Sequence, residues 1–222
     1  MERINQLKEK FAHFYEKDTT QDLISVTPYL KEANEWINEV SKYSNDIKLS
    51  EAWKCIGQGN DIEKSINQLY NYVNDADRAF FVSDSFRKII LCNSRLASSI
   101  IAYIMGEIIA ESREFKHSDA LLYNALYQMT DYDVRNFKYI MENTVGRFSE
   151  DDKIIDETKI IENKESINLT IQVCLASGLL GVESTVEYDD GLISGDFKVV
   201  TSVAERLLEY INKVNALLEY GL

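Results

Sequence analysis

Apolar residues recur along most of the chain at spacings of three and four, the period of a helix with one buried face. A second signal comes from the helix starts. Thr27-Pro28 combines a residue that caps helix N-termini with a proline suited to the first helical position. Glycines at 57 and 59 mark a helix end. These patterns predict four helices in the N-terminal third, at residues 2–16, 27–42, 50–57 and 61–74.

The longest apolar periodic segment extends from Ala76 to Glu114 and predicts the central helix of a bundle, with a turn near Ser83-Asp84. Residues 89–109 are apolar over much of the helix circumference, which indicates burial between other helices rather than a place at the surface. Ile101 and Ile104 are therefore expected to be core residues. Four neighbouring aromatic residues are also expected in the core: Tyr70, Tyr72, Phe80 and Phe81.

Two more helices are expected before residue 143. Ser118 is predicted to cap the first, and Thr130 opens the second with Asp133 three residues later, which is the pattern of a capping box. Residues 143–165 are charged and contain few apolar positions. That stretch is predicted to be a long connection.

The C-terminal part mixes helical and extended patterns. Ser166 is expected to cap a helix that ends at Gly181, and residues 182–200 read as one β-hairpin around the turn Asp189-Asp190-Gly191. Thr201 or Ser202 is expected to cap a last helix. The predicted fold class is mainly α, with an N-terminal helical bundle at residues 1–130 and a C-terminal module at residues 131–222 that contains the hairpin.

The C-terminal order of elements resembles the second half of a winged helix-turn-helix domain. The phrase LASGLLG at 175–181 resembles the end of a recognition helix, and VVTSVAERLLEYI at 199–211 resembles the closing strand and the helix after it. Ala204 stands where that family often has glycine. The resemblance covers about residues 131–216 and implies a winged-helix module. With its helical bundle, the layout also resembles uncharacterised bacterial and prophage helical proteins of the phage-exclusion type.

Charge argues against DNA as the partner of this module. Residues 1–130 hold 15 Lys and Arg against 19 Asp and Glu, a net of −4, whereas residues 131–222 hold 9 against 18, a net of −9. DNA-binding proteins draw much of their affinity from cations that meet phosphates. The predicted recognition helix contains no cation and offers only Asn168, Thr170, Gln172 and Ser177. The hairpin carries one cation, Lys198, against Glu183, Glu187, Asp189, Asp190 and Asp196.

Residues that could carry chemistry are few. The spacing of Cys55, Cys92 and Cys174 fits neither a disulfide framework nor a metal motif, so we expect reduced core thiols. Glu114 and His117 form the E-x-x-H pair seen in di-iron bundles, but His13 lacks such a partner. We therefore predict no catalytic, cofactor-binding or metal-ligating residue and no cofactor.

The N-terminus is charged from its second residue and lacks the apolar core of a signal peptide. The most apolar stretch, Leu96–Gly106, is shorter than the roughly 20 residues of a membrane-spanning helix. The sequence thus predicts a non-enzymatic cytoplasmic interaction module of bacterial or phage origin, with a protein partner or a second copy, without nucleic acid or membrane. The alternative is a winged-helix transcriptional regulator with a helical sensing or dimerisation domain. It would need a basic patch from Arg135, Lys138 and Arg147.

Overall fold

The computed structural model describes residues 47–60, 62–147, 153–160, 163–188 and 191–219. The predicted helices at 2–16 and 27–42 lie outside these residues. The described helices are α1 (47–56), α2 (Ile62–Tyr72), α3 (Ala76–Leu91), α4 (Arg95–Ala110), α5 (His117–Gln128), α6 (Asp131–Asn143), α7 (Lys164–Ala176) and α8 (Ser202–Leu218). The strands are β1 (Val145–Arg147), β2 (Lys153–Ile155), β3 (Leu180–Tyr188) and β4 (Gly191–Val200), with a 3-10 turn at Glu157–Lys159. The prediction of a mainly helical fold is confirmed.

The segment predicted as one central helix consists of two helices, α3 and α4, which are separated at residues 92–94. The break occurs there because Ser94 caps α4: its hydroxyl oxygen accepts a hydrogen bond from the Ala97 amide at 2.9 Å. Asp131, at the start of α6, accepts a second bond from the Leu96 amide at 3.0 Å. The turn expected at Ser83-Asp84 is wrong, since both residues lie inside α3.

α4 lies at the centre of the fold and packs against α2, α3, α5, α6 and α8. Ile101 and Ile104 are fully buried, as predicted. Small residues let neighbouring helices approach. A Cβ added at Gly106 would lie 2.3 Å from the backbone oxygen of Ile56, so α1 and α4 nearly touch at that position. The buried apolar side chains form one cluster that includes Leu207 and Ile211 of α8. The domain boundary near residue 130 remains a prediction.

Residues 143–165 contain more structure than the predicted connection. β1 and β2 form an antiparallel pair, and β2 also pairs with β4 through Ile154 and Val199. The described part of the chain therefore contains a second antiparallel strand pair beside the predicted hairpin, in one sheet of order β1-β2-β4-β3. The three-residue β2 is too short to show alternation in the sequence, and its partner β4 is remote along the chain.

Several predicted helix starts are confirmed and others shift. Thr130 and Asp133 form the expected capping box, and the hydroxyl oxygen of Thr201 accepts from the Ala204 amide at 3.2 Å. α1 is already helical at residue 47, before the predicted start at Ser50. α5 begins at His117 and α7 at Lys164, so Ser118 and Ser166 lie inside these helices.

α7 ends earlier than the sequence predicts. Its last helical residue is Ala176, and Gly178 adopts a φ of +76°, a left-handed conformation that favours glycine and commonly ends helices. Leu180, predicted as the end of the helix, is the first residue of β3.

The packing of α4 yields a first prediction. Replacing Ile101 or Ile104 with alanine should lower the free energy of unfolding by about 2–5 kcal/mol, because each change removes fully buried methyl groups and leaves a cavity. Urea unfolding followed by circular dichroism measures the change. Leu91→Ala is the control, since Leu91 is 52% exposed and its loss should cost under about 1 kcal/mol. Equal effects of core and control variants would contradict the assignment of α4 as the central helix.

Candidate interaction site

Glu114 and His117, the pair with the spacing of a metal-binding motif, lie at the surface. Glu114 is in the connection between α4 and α5, His117 is the first residue of α5, and both side chains are exposed. Among the described residues, no group of three or more His, Cys, Asp and Glu side chains could hold a metal ion. His13 lies outside the described residues.

The three cysteines are free and buried, which confirms the prediction of core thiols. Burial, with a smaller contribution from Glu51, raises the pKa of Cys55 to about 12. Burial and the nearby Asp133 raise the pKa of Cys174 to about 12 as well. Burial also raises the pKa of Cys92. At neutral pH these thiols are protonated, so they lack the thiolate that a cysteine nucleophile requires.

Asp119 is the centre of a buried ionic network that joins α5 to α8. Its carboxylate is fully buried, accepts a bond from Arg113 at 2.6 Å and accepts another from Arg206 at 2.9 Å. The Lys116 amide donates a third bond at 2.9 Å. Burial alone would raise the pKa of Asp119, but the bonds from Arg113, the Lys116 amide and Arg206 outweigh it and hold the pKa below its usual range.

Tyr210 extends this network to α4. Its hydroxyl donates to Glu107 Oε1 at 2.7 Å and accepts a hydrogen bond from the Arg206 guanidinium at 3.4 Å. Burial and the bond to Glu107 raise the pKa of Tyr210 to about 12, so the phenol is protonated at neutral pH. Since these bonds join α8 to α4 and α5, the network is a structural clamp between α8 and the bundle.

The outer face of α7 is the first candidate surface. Lys164, Glu165, Asn168, Leu169 and Gln172 line an open depression of about 460 Å³ there. The two charges have opposite signs, and Leu169 is 64% exposed. The depression is therefore lined by amide groups, one apolar side chain and no net charge.

Two of the four polar residues considered for base contacts are used inside the protein. Thr170 is fully buried, and its hydroxyl donates to Asp133 Oδ1 at 2.8 Å on α6. Ser177 donates to the Val173 carbonyl at 2.8 Å. Asn168 and Gln172 stay at the surface. The cation of the hairpin, Lys198, is paired with Glu157 in the 3-10 turn. Among the acidic residues of the hairpin, Glu183 is exposed. The side chains of the remaining four lie outside the described part of the chain.

The basic patch that a regulator would need is not concentrated on α6. Arg135 is exposed, but Lys138 lies 3.8 Å from Glu142 one turn later. The side chain of Arg147 lies outside the described ones. One of the two α6 cations is therefore balanced by a carboxylate of the same helix.

A pocket of about 340 Å³ between the end of α2, the start of α3 and the α4–α5 connection is the second candidate surface. Ser112 ends α4 in a left-handed conformation, with φ of 50°, and the chain then places Phe115 against Phe81 with ring centroids 5.0 Å apart. Tyr72 and Phe81 are buried as predicted, whereas Phe80 is 66% exposed and is not a core residue. The pocket residues are Tyr72, Asp75, Asp77, Arg78, Phe81, Glu114 and Phe115.

Sequence reasoning missed this pocket because its residues come from three separate segments. The aromatic positions in α2 and α3 fit the helical core pattern, and nothing in that pattern indicates that Phe115 meets Phe81. The two adjacent phenylalanines Phe80-Phe81 cannot both face the core of one helix, but the sequence does not show which of them lines a pocket.

No protein-family model, curated protein or solved structure matches this chain. Within the described ranges, every helix is too short or too polar to cross a membrane.

The Asp119 network yields a second prediction. Asp119→Asn should lower the free energy of unfolding at pH 7 by about 3–5 kcal/mol, because it leaves two arginines without their buried counter-charge. The folded pKa is depressed, so the stabilisation is complete above the unfolded value of about 3.9 and is lost as pH falls through the folded pKa.

Urea unfolding at pH 7 and at successively lower pH tests both parts. The deficit of Asp119→Asn relative to the unmodified protein should shrink below about pH 4. Glu209→Gln, at an exposed position on α8, should change stability by less than about 0.5 kcal/mol. A deficit that stays constant down to the acid limit would show that the charge of Asp119 is not what stabilises the clamp.

Proposed function

We propose that this chain is a non-enzymatic cytoplasmic protein of bacterial or phage origin that binds another protein through the outer face of α7. In this proposal, residues 131–222 form a winged-helix-like module that does not read DNA. The observation that carries it is the composition of the α7 face: neutral in charge, with an exposed leucine at its centre.

The winged-helix assignment is supported by the path of the chain. The β3–β4 hairpin follows α7 after a three-residue turn, and α8 follows β4. β4 lies between β2 and β3, so the strand before α7 and the strand after it flank the closing strand.

One feature departs from a helix-turn-helix. In that motif a turn of three or four residues joins the two helices. Here α7 packs mainly on α6 and also contacts α5, and β1, β2 and the 3-10 turn lie between α6 and α7 along the chain. The polar contacts between these helices include bonds from Asn136 to the hydroxyls of Ser166, at 2.9 Å, and Thr170, at 3.1 Å, beside the bond from Thr170 to Asp133.

A protein partner fits the α7 face better than DNA does. Direct readout of bases uses Arg, Lys, Asn or Gln, and most affinity for DNA comes from cations on phosphates. The face offers Asn168 and Gln172, but its cation, Lys164, has Glu165 beside it. Leu169 is instead the kind of side chain that a protein interface covers.

A third prediction follows for DNA. The full-length protein should show no binding to a labelled random duplex at low micromolar concentration and physiological salt, because a genuine binder reaches about that affinity non-specifically. Fluorescence anisotropy measures it. A salt-dependent rise in anisotropy would favour the regulator with a helical sensing domain instead.

The partner class gives a fourth prediction. A photo-crosslinking amino acid at position 169 should form an adduct with another protein or with a second copy of this chain in cells, because Leu169 is exposed at the centre of the face. The same amino acid at Glu209, which is exposed on α8, is the matched control.

Mass spectrometry of the gel-shifted bands identifies the adduct. A protein adduct at position 169 that is absent at position 209 supports the proposal. A nucleic-acid adduct, or the same set of products at both positions, contradicts it.

A further inference from the structure

The pocket between α2, α3 and the α4–α5 connection is separate from the α7 face: none of the residues that line one lines the other. Its 340 Å³ would hold one long side chain or a small ligand. Its character differs as well, because its walls are aromatic and its rim is acidic. It therefore calls for a ligand of its own chemistry.

Three aromatic rings form the walls. Phe81 is the central one, with its centroid 6.0 Å from that of Tyr72 and 5.0 Å from that of Phe115. Phe115 lines the pocket, is 38% exposed and makes an edge-on contact with the buried Tyr123, with ring centroids 5.1 Å apart. The faces of such rings are negative and attract cations.

The charged lining is also negative. It contains the carboxylates of Asp75, Asp77 and Glu114 against one guanidinium, that of Arg78. Within the described part of the chain, Asp75 is the carboxylate of this set that an ion pair engages, with Arg78 at 3.7 Å. With Asp75 paired to Arg78, Asp77 and Glu114 leave the lining of the pocket with a net negative charge.

Arg78 shows which cation this environment accepts. Its guanidinium carbon lies 4.8 Å from the centroid of the Tyr72 ring, and the same group donates to the Ser112 carbonyl at 3.3 Å. A planar guanidinium can stack on a ring and donate sideways at the same time, which a lysine ammonium does less well. Phe115 with Asp77 and Glu114 offers a second ring with acceptors beside it.

We infer that this pocket binds an arginine side chain of a partner protein. The inference rests on the proposed function, since it names the chemistry of a protein partner, but it assigns a second contact away from α7. The arginine stacks on Phe115, and its N–H groups face the carboxylates of Asp77 and Glu114. Arg78 stays on Tyr72 and separates that ring from the ligand.

The test is a titration of the isotope-labelled full-length protein with the capped tripeptide Gly-Arg-Gly, followed by amide chemical shifts. Shifts should concentrate at residues 75–81 and 113–116, and the affinity should fall as salt is added. The same peptide with citrulline, the neutral isostere of arginine, and the peptide with lysine should each bind at least about threefold more weakly.

Variants locate the interaction. Glu114→Gln and Asp77→Asn should each weaken arginine-peptide binding by roughly three- to tenfold, and Phe115→Leu by a similar factor. Glu183→Gln, an exposed carboxylate on β3, should leave it unchanged. Glu114 is exposed in a connection, so its variant reports on binding even if Phe115→Leu is poorly folded.

The inference is overturned if the citrulline or lysine peptide binds as well as the arginine peptide, or if millimolar arginine peptide leaves residues 75–81 and 113–116 unshifted. Shifts that cluster on α7 would also refute it. Crosslinking from position 169 distinguishes the two proposals. If position 169 forms no adduct while the arginine peptide still shifts the pocket residues, the α7 contact is refuted and the arginine pocket stands.

Discussion

α4 is covered by other helices along almost its whole length, and α8, from the far end of the described chain, supplies part of that cover. An isolated helix with so many isoleucines could not face water, so the fold depends on holding α8 in place. The Asp119 network does this with charge rather than with apolar area alone. Arg206 and Tyr210 of α8 reach a carboxylate on α5 and another on α4. The placement of α8, and of the sheet that leads into it, therefore depends on these contacts.

The clamp fixes the C-terminal module as well. β4 leads directly into α8 through the cap at Thr201, whose hydroxyl also donates to the Leu179 carbonyl at the start of β3. On its other side, α7 is bound to α6 by Thr170, Asp133 and Asn136. The β3–β4 hairpin is therefore attached to the bundle through α8, while α7 is attached to α6. Both helices that flank the hairpin thus have fixed contacts in the described part of the chain.

The sequence predicted those parts of the fold that depend on local chemistry. The period of apolar residues predicted most of the described helices, Thr130 and Thr201 marked true helix starts, and the predicted division of the hairpin into two paired strands is confirmed. It failed where distant residues decide. The break between α3 and α4 depends on Ser94 and on Asp131 of a later helix, and the apolar period continues across it. β2 pairs with the nearby β1 and, through Ile154, with the distant β4.

The same distinction between local and distant residues applies to the candidate surfaces. The absence of cations from residues 167–180 was readable directly and led to the neutral face of α7. What could not be read was which polar residues of that helix remain outside. Thr170 faces α6, where its hydroxyl donates a hydrogen bond to Asp133, and that contact depends on a helix residue that lies 37 positions earlier in the chain.

Packing thus removes Thr170 and Ser177 from the surface of α7, and leaves there one leucine between two amides. The excess of acidic side chains is divided between two places in this arrangement. Part of it is internal, where Asp119 and Glu107 hold α8, and part lies around Phe115, where it favours a cation. A partner that meets both surfaces would need an apolar contact for Leu169 and an arginine for the pocket. Such a pairing is more specific than general attraction to an acidic protein, because each surface rejects a different kind of partner. The α7 face rejects a partner whose shape does not fit Leu169, and the pocket rejects a side chain without the charge or the planarity of arginine.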